Sequence, residues 1–266
     1  MGQHFLRCEW VISTLIHAAN LTKDDIVLEV GPGEGVLTRA LAARAKKVIA
    51  VEKDEKLAME LKGSLAQEKI PNIEIIAGDI LQALPVLVSS YNLRHTTYKL
   101  ISNIPYYLTS RLLRILLENE PRPKTIVLTI QKEVAQRIAA KPPNMNLLAL
   151  SVQAFGTPEI IKNVPASCFF PKPKVDSVII KISDISENFF LRHRIKDKEF
   201  FFSVVRSAFG QKRKYILNSL GGRIGKKKVG ERMQTARIPQ KARPQELTLA
   251  QWVTFVKMII SNRPTA

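Results

Sequence analysis

This chain of 266 residues has only two cysteines and no apolar run of membrane-spanning length. Cys8 and Cys168 lie far apart in sequence and have no metal-ligand companions. That speaks against a disulfide framework and against structural zinc, and reduced thiols suit the cytoplasm. No charged-then-apolar segment opens the chain, so neither secretion nor membrane insertion is expected. A Walker phosphate loop is missing, as are Ser-His-Asp or Cys-His arrangements, internal repeats and low-complexity tracts. Without heptads or an exposed apolar stripe, a monomer is expected. Acidic residues are the other shortage, with 23 Asp and Glu against 41 Lys and Arg and a net charge of +18. A surface of that sign attracts phosphate backbones and releases counterions on binding. At 45% apolar and 24% charged residues, the chain reads as folded throughout.

Four short apolar runs each end in a polar signature. Ile26 to Val30 leads into Gly31-Pro32-Gly33-Glu34-Gly35, after which Val36 opens a helical pattern. A glycine turn between strand and helix lets a nucleotide-like ligand approach the backbone, although the glycines are spaced more tightly than a dinucleotide fingerprint requires. Lys47 to Val51 ends in Glu52, which is 21 residues after Gly31 and is placed like an acid that grips ribose hydroxyls. Ile73 to Ala77 ends in Gly78-Asp79, and Lys99 to Ser102 ends in Asn103-Ile104-Pro105-Tyr106. In an open parallel sheet these strand ends converge on one ligand site. An Asn side-chain oxygen and the Ile104 carbonyl, held by stiff Pro105, are suitable acceptors for an adenine amine, with Tyr106 stacking on the base.

These motifs resemble, in order, those of the ribosomal RNA adenine dimethyltransferase family. The resemblance begins at Gly2-Gln3-His4-Phe5-Leu6 and continues through Ile130 to Arg137, Phe169 to Ser177, Val204 to Lys214 and Ala242 to Leu247. It implies transfer of methyl groups from S-adenosyl-L-methionine to N6 of two adjacent adenosines near the 3′ end of small-subunit rRNA, in the assembling small ribosomal subunit and with no metal. It also assigns roles. His4, Leu6, Gly31, Gly33, Glu52, Asp79 and Asn103 would hold the cofactor. Asn103, Ile104, Pro105, Tyr106 and Phe169 would hold the target, with Tyr106 and Phe169 sandwiching a flipped base. Lys132, Arg206, Lys212, Arg213 and Lys214 would contact RNA. The chain departs from the family in having His4 where relatives more often carry Asn and Cys8 where they often carry Asp, and where many relatives carry a short basic arm before Gly2, either the start is truncated or RNA contacts there are reduced. Two other classes share features with this reading: a resistance methyltransferase acting on large-subunit rRNA, and a binding-only assembly or transcription factor.

The implied fold class is α/β, a Rossmann-like class I methyltransferase domain over residues 1–185 followed by a small all-helical, basic domain over residues 186–266. Helices are expected at 10–19, 36–45, 55–68 and 110–119, and again at 200–209, 215–220 and 249–260. A fifth strand is expected at 124–130, and a closing antiparallel hairpin from 157–164 and 175–182. Between Arg192 and Arg243 sixteen Lys and Arg face three acids, so 13 of the 18 excess charges lie there. This makes the second domain the expected RNA-facing surface.

Overall fold

The computed structural model describes residues 4–93, 96–211 and 213–260. The chain folds into two compact units, Met1–Gln136 with Gly156–Ile185, and Arg137–Phe155 with Ser186–Ala266. The expected division after residue 185 therefore has an exception, because residues 137–155 belong with the second unit.

The first unit begins with a short strand β1 (Phe5–Leu6) and helix α1 (Glu9–Ala18), and then alternates strand and helix. In order these are β2 (Ile26–Val30), α2 (Val36–Ala42), β3 (Lys47–Glu52), α3 (Glu55–Gln67), β4 (Ile73–Ala77), α4 (Ile80–Ser90), β5 (Tyr98–Asn103), α5 (Thr109–Glu118) and β6 (Thr125–Gln131). Helix α6 (Lys132–Ile138) and then α7 (Leu147–Gln153), which belongs to the second unit, follow, and the first unit resumes with β7 (Thr157–Val164), β8 (Phe169–Phe170) and β9 (Ser177–Ser183). The main sheet runs β4-β3-β2-β5-β6-β9-β7, with β9 antiparallel to both its neighbours and the other pairings parallel. The chain winds outward from β2 to β4 and returns on the other side at β5. The strand order thus reverses between β2 and β5, where an open parallel sheet forms its ligand crevice.

Central strands covered by helices on both faces must be apolar at most positions, and β2, β3 and β6 are buried along nearly their whole length, with Glu29 of β2 a charged exception. The helices bury one stripe each. In α5 that stripe is Thr109, Leu112, Leu113, Leu116 and Leu117, the 3-4 spacing of a helix laid on a sheet. Asp54 caps α3 by accepting from the Lys56 and Leu57 amides, and Asp79 caps α4 through Leu81.

The expectation of two free thiols is not met. β1 pairs antiparallel with β8, Phe5 opposite Phe170 and Leu6 opposite Phe169, which brings the Cα atoms of Cys8 and Cys168 to 5.1 Å in a disulfide. Their sequence separation of 160 says nothing of distance in the fold once this ribbon forms.

The second unit is helical, with α8 (Asn188–Arg192), α9 (Lys198–Phe209), α10 (Ile216–Ile224), α11 (Lys226–Thr235) and α12 (Leu249–Ile260) added to α7. Its core is aromatic. Phe155, Phe190, Phe201 and Phe202 form one group of touching rings, and Phe209, Trp252 and Phe255 form another. Among the described residues no helix is long and apolar enough to cross a membrane.

Candidate active site

The crevice is built from strand ends. Past Val30 the backbone turns through Gly31 and Gly33 with φ of +70° and +56°, a left-handed path that side chains disfavour. Space forbids a side chain as well, since a Cβ on Gly33 would stand 2.9 Å from the Phe5 ring. The Gly31 amide donates to the Val51 carbonyl at 2.8 Å, anchoring the turn to β3. Glu52, buried at the end of β3, accepts from the Gly33 and Asp54 amides, each at 3.1 Å. Its carboxylate therefore stands beside the turn, held by backbone on both sides.

Asn103 ends β5, and its Nδ2 donates to the His4 carbonyl at 3.2 Å, which leaves Oδ1 as the acceptor for an incoming amine. Ile104 is buried, and Pro105 packs toward Gly31, so the backbone between them is confined. The Tyr106 hydroxyl shares a hydrogen bond of 2.8 Å with Ser177 Oγ, and its ring lies 5.7 Å from the His4 imidazole at a tilt of 33°. Burial raises the Tyr106 pKa, so the phenol stays protonated. His4 is itself held through Nδ1 by the Pro171 carbonyl at 2.6 Å.

These groups line one pocket, in which His4, Leu6, Gly31, Gly33, Glu52 and the Asn103 to Tyr106 segment all meet. A second pocket shares Gly31, Glu52 and Pro105 and adds Asp79, Lys53, Tyr107 and Arg111. Asp79 is already engaged there, accepting from the Leu81 amide and from Lys53 Nζ, both at 3.0 Å. Those two bonds hold its pKa below the usual value.

Of the residues expected to hold the target, Phe169, expected to sandwich the base with Tyr106, alone lines neither pocket. It is 4% exposed and packs in the core with Leu6, Val11, Leu15 and Ile179, while Phe170 beside it is exposed. The candidate RNA contacts Lys132, Arg206, Arg213 and Lys214 are exposed and line neither pocket. Lys212 lies outside the described residues, as do Gly2 and Gln3 of the opening motif.

Glu29 lines the first pocket too, and sequence reasoning passed over it. It is 1% exposed, its Oε2 has no hydrogen-bond partner, and burial, reinforced by the nearby Glu52 charge, pushes its pKa up to about 8. The signal was present as the one charge in an apolar run just before the glycine turn. A backbone turn open to close approach, a carboxylate at the end of β3, and a buried acid with one unpartnered oxygen form a set of groups that fits an adenosyl ligand with a cationic amino-acid end.

The family described as Ribosomal RNA adenine dimethylase matches residues 1–261. The chain belongs to this family. It is 39% identical over 264 residues to Ribosomal RNA small subunit methyltransferase A of Dehalococcoides mccartyi, covering 98% of this chain and 88% of that one. It is 33% identical over 268 residues to the protein of the same description from Alkaliphilus metalliredigens, covering 99% and 92%. Among solved structures, a dimethyladenosine transferase from Plasmodium falciparum superposes with a TM-score of 0.79 at 27% identity, covering 97% of this chain and 98% of that one. The 23S rRNA methyltransferase ErmE superposes with a TM-score of 0.71 at 28% identity, covering 96% and 99%. The adenine dimethylase family thus accounts for both units of the chain.

Proposed function

We infer that the protein transfers methyl groups from S-adenosyl-L-methionine to N6 of adenosine in small-subunit rRNA, two to each of two adjacent adenosines near the 3′ end, acting as a cytoplasmic monomer on the assembling subunit. One observation carries this reading. The whole chain matches the adenine dimethylase family, and the Asn103 to Tyr106 segment lies in the same pocket as the glycine turn and Glu52.

The donor would be held by the backbone at Gly31 and Gly33, by Glu52 at its hydroxyls, by Asp79 at its base, and by Glu29 near its cationic end. Bound there, it supplies an electrophilic methyl on a sulfonium. The chain's own residues do the rest by positioning and electrostatics. The adenine amine is a poor nucleophile because its lone pair is delocalised into the ring. Asn103 Oδ1 and the Ile104 carbonyl accept its two N–H groups and favour the pyramidal nitrogen, which frees the lone pair for attack. Tyr106, tethered by Ser177, presents a ring for the extruded base. After attack the nitrogen is cationic and releases its proton to solvent, so no strong general base is needed. A monomethylated amine keeps one N–H for Asn103 or Ile104, which permits a second transfer.

The test is incorporation of labelled methyl from S-adenosyl-L-methionine into immature small subunits, with large subunits in parallel. Label in the small subunit alone supports the reading. Label in the large subunit would assign the protein the activity named for ErmE. No label in either, with no cofactor binding, would leave a binding protein on a methyltransferase scaffold.

A further inference from the structure

Residues directly opposite in an antiparallel pair share a face. In the ribbon of β1 and β8 one face carries Leu6 and Phe169, both sunk in the core, and the other carries Phe5 and Phe170. Phe5 turns over Gly33 and lines the first pocket. Phe170 stands beside it on the same face and is 64% exposed. A single exposed apolar side chain is ordinary, but the surroundings of this one are not. The Arg7 guanidinium lies 5.9 Å from its ring centroid, while Lys172 and Lys174 are exposed on the loop that follows. Arg7 also pairs with Glu34 of the glycine turn at 2.9 Å, which holds the cation and ring at the rim of the pocket.

An exposed aromatic ring with a guanidinium beside it and exposed lysines on the loop that follows is the local chemistry of single-stranded nucleic acid binding, in which bases stack and phosphates find positive charge. We propose that Phe170 is a stacking platform for the nucleotide next to the target adenosine, with Arg7, Lys172 and Lys174 on the adjoining phosphates. The inference rests on the reading that the substrate is RNA. It divides labour between two neighbouring phenylalanines. Phe169 fastens the ribbon to the core, and Phe170, turned the other way by strand alternation, meets the substrate. Stacking tolerates any base, so the platform sets affinity and register on the strand rather than choice of base.

The experiment compares wild type with Phe170→Leu and Phe170→Trp. It measures affinity for a short single-stranded RNA carrying two adjacent adenosines, and KM and kcat on immature small subunits. Phe170→Leu should weaken RNA affinity and raise KM about tenfold, the loss expected for one stacked base, with kcat, S-adenosyl-L-methionine affinity and melting temperature unchanged. Phe170→Trp should restore wild-type affinity. RNA affinity of Phe170→Leu within about twofold of wild type would overturn the proposal. So would a Trp variant no better than Leu, which would mark the position as one of packing or protein contact. If wild type methylates no adenosine, the proposed function fails, and the RNA affinities of the three proteins still decide this inference.

Discussion

Glu29 gives the account its sharpest physical consequence. Its carboxyl has a pKa of about 8 in the folded protein against 4.5 when unperturbed. Between those values the folded protein keeps a proton that the unfolded chain releases, so stability is greatest below pH 4.5 and falls as pH rises through about 8. The slope is about 1.4 kcal/mol per pH unit, and the whole span sets an upper limit of about 5 kcal/mol. Water admitted to the pocket on ionisation reduces this to about 2–3 kcal/mol. Glu29→Gln keeps the shape and removes the titration. In urea unfolding at pH 5, 7 and 9, the two proteins should agree within about 1 kcal/mol at pH 5, and the Gln variant should be the more stable by about 2–3 kcal/mol at pH 9. Taking the difference between variants cancels the titrating groups that do not interact with Glu29. A cationic donor end should also draw the proton off, so S-adenosyl-L-methionine should bind wild type more tightly as pH rises from 6 to 9, with a flatter profile for Glu29→Gln. A stability difference that does not change with pH would refute the reasoning and mean that Glu29 is ionised at neutral pH.

Asn103→Ala should lower kcat by about 10²–10³-fold, because its acceptor acts on a charge that develops in the transition state, and circular dichroism should show an unchanged fold. Opening the Cys8–Cys168 bridge with dithiothreitol should lower stability by about 2–5 kcal/mol in urea, given the 160-residue separation it spans; a Cys8→Ser variant, which lacks the bridge, should then show no response to the reductant. Lys99 is buried, with Nζ at 2.8 Å from both Asp25 and the Asn20 carbonyl, so Lys99→Met should cost about 3 kcal/mol by removing the Asn20 carbonyl's partner and the cation that balances Asp25, which then keeps only its bonds from Thr22, read as a fall in urea midpoint. Lys226, Lys227 and Lys228 occupy the first turn of α11, where the helix dipole disfavours cations. Replacing all three with Ala should leave melting unchanged or slightly raised, while reducing the salt dependence of RNA binding by about two in log-log slope.

The main sheet is legible in the sequence because strands buried on both faces must be apolar runs, and the runs at 26–30, 47–51, 73–77, 99–102 and 124–130 fall on β2 to β6 within a residue or two at each end. The hairpin of β7 and β9 is legible too, although only β9 is a buried apolar run, β7 being a largely exposed edge strand. Helix α4 is hidden by Pro85 inside it, which breaks the pattern that a sequence reader trusts. The ribbon of β1 and β8 has two residues on each side, too few for periodicity, so the disulfide and the opposite fates of Phe169 and Phe170 stay hidden with it. Residues 137–155 join the second unit through contacts that no local signal encodes. The polar ends of four strands are visible because their positions follow from the strands. Lys53, Arg111 and Ser177 reach the site only through tertiary packing.

The most direct measurement is nucleoside analysis of small-subunit rRNA taken from immature subunits, treated with the protein and S-adenosyl-L-methionine, and digested to completion. The account predicts N6,N6-dimethyladenosine at two adjacent positions near the 3′ end, formed by wild type and not by Asn103→Ala. Methylation at any other atom, at adenosines elsewhere, or undiminished in Asn103→Ala would contradict it.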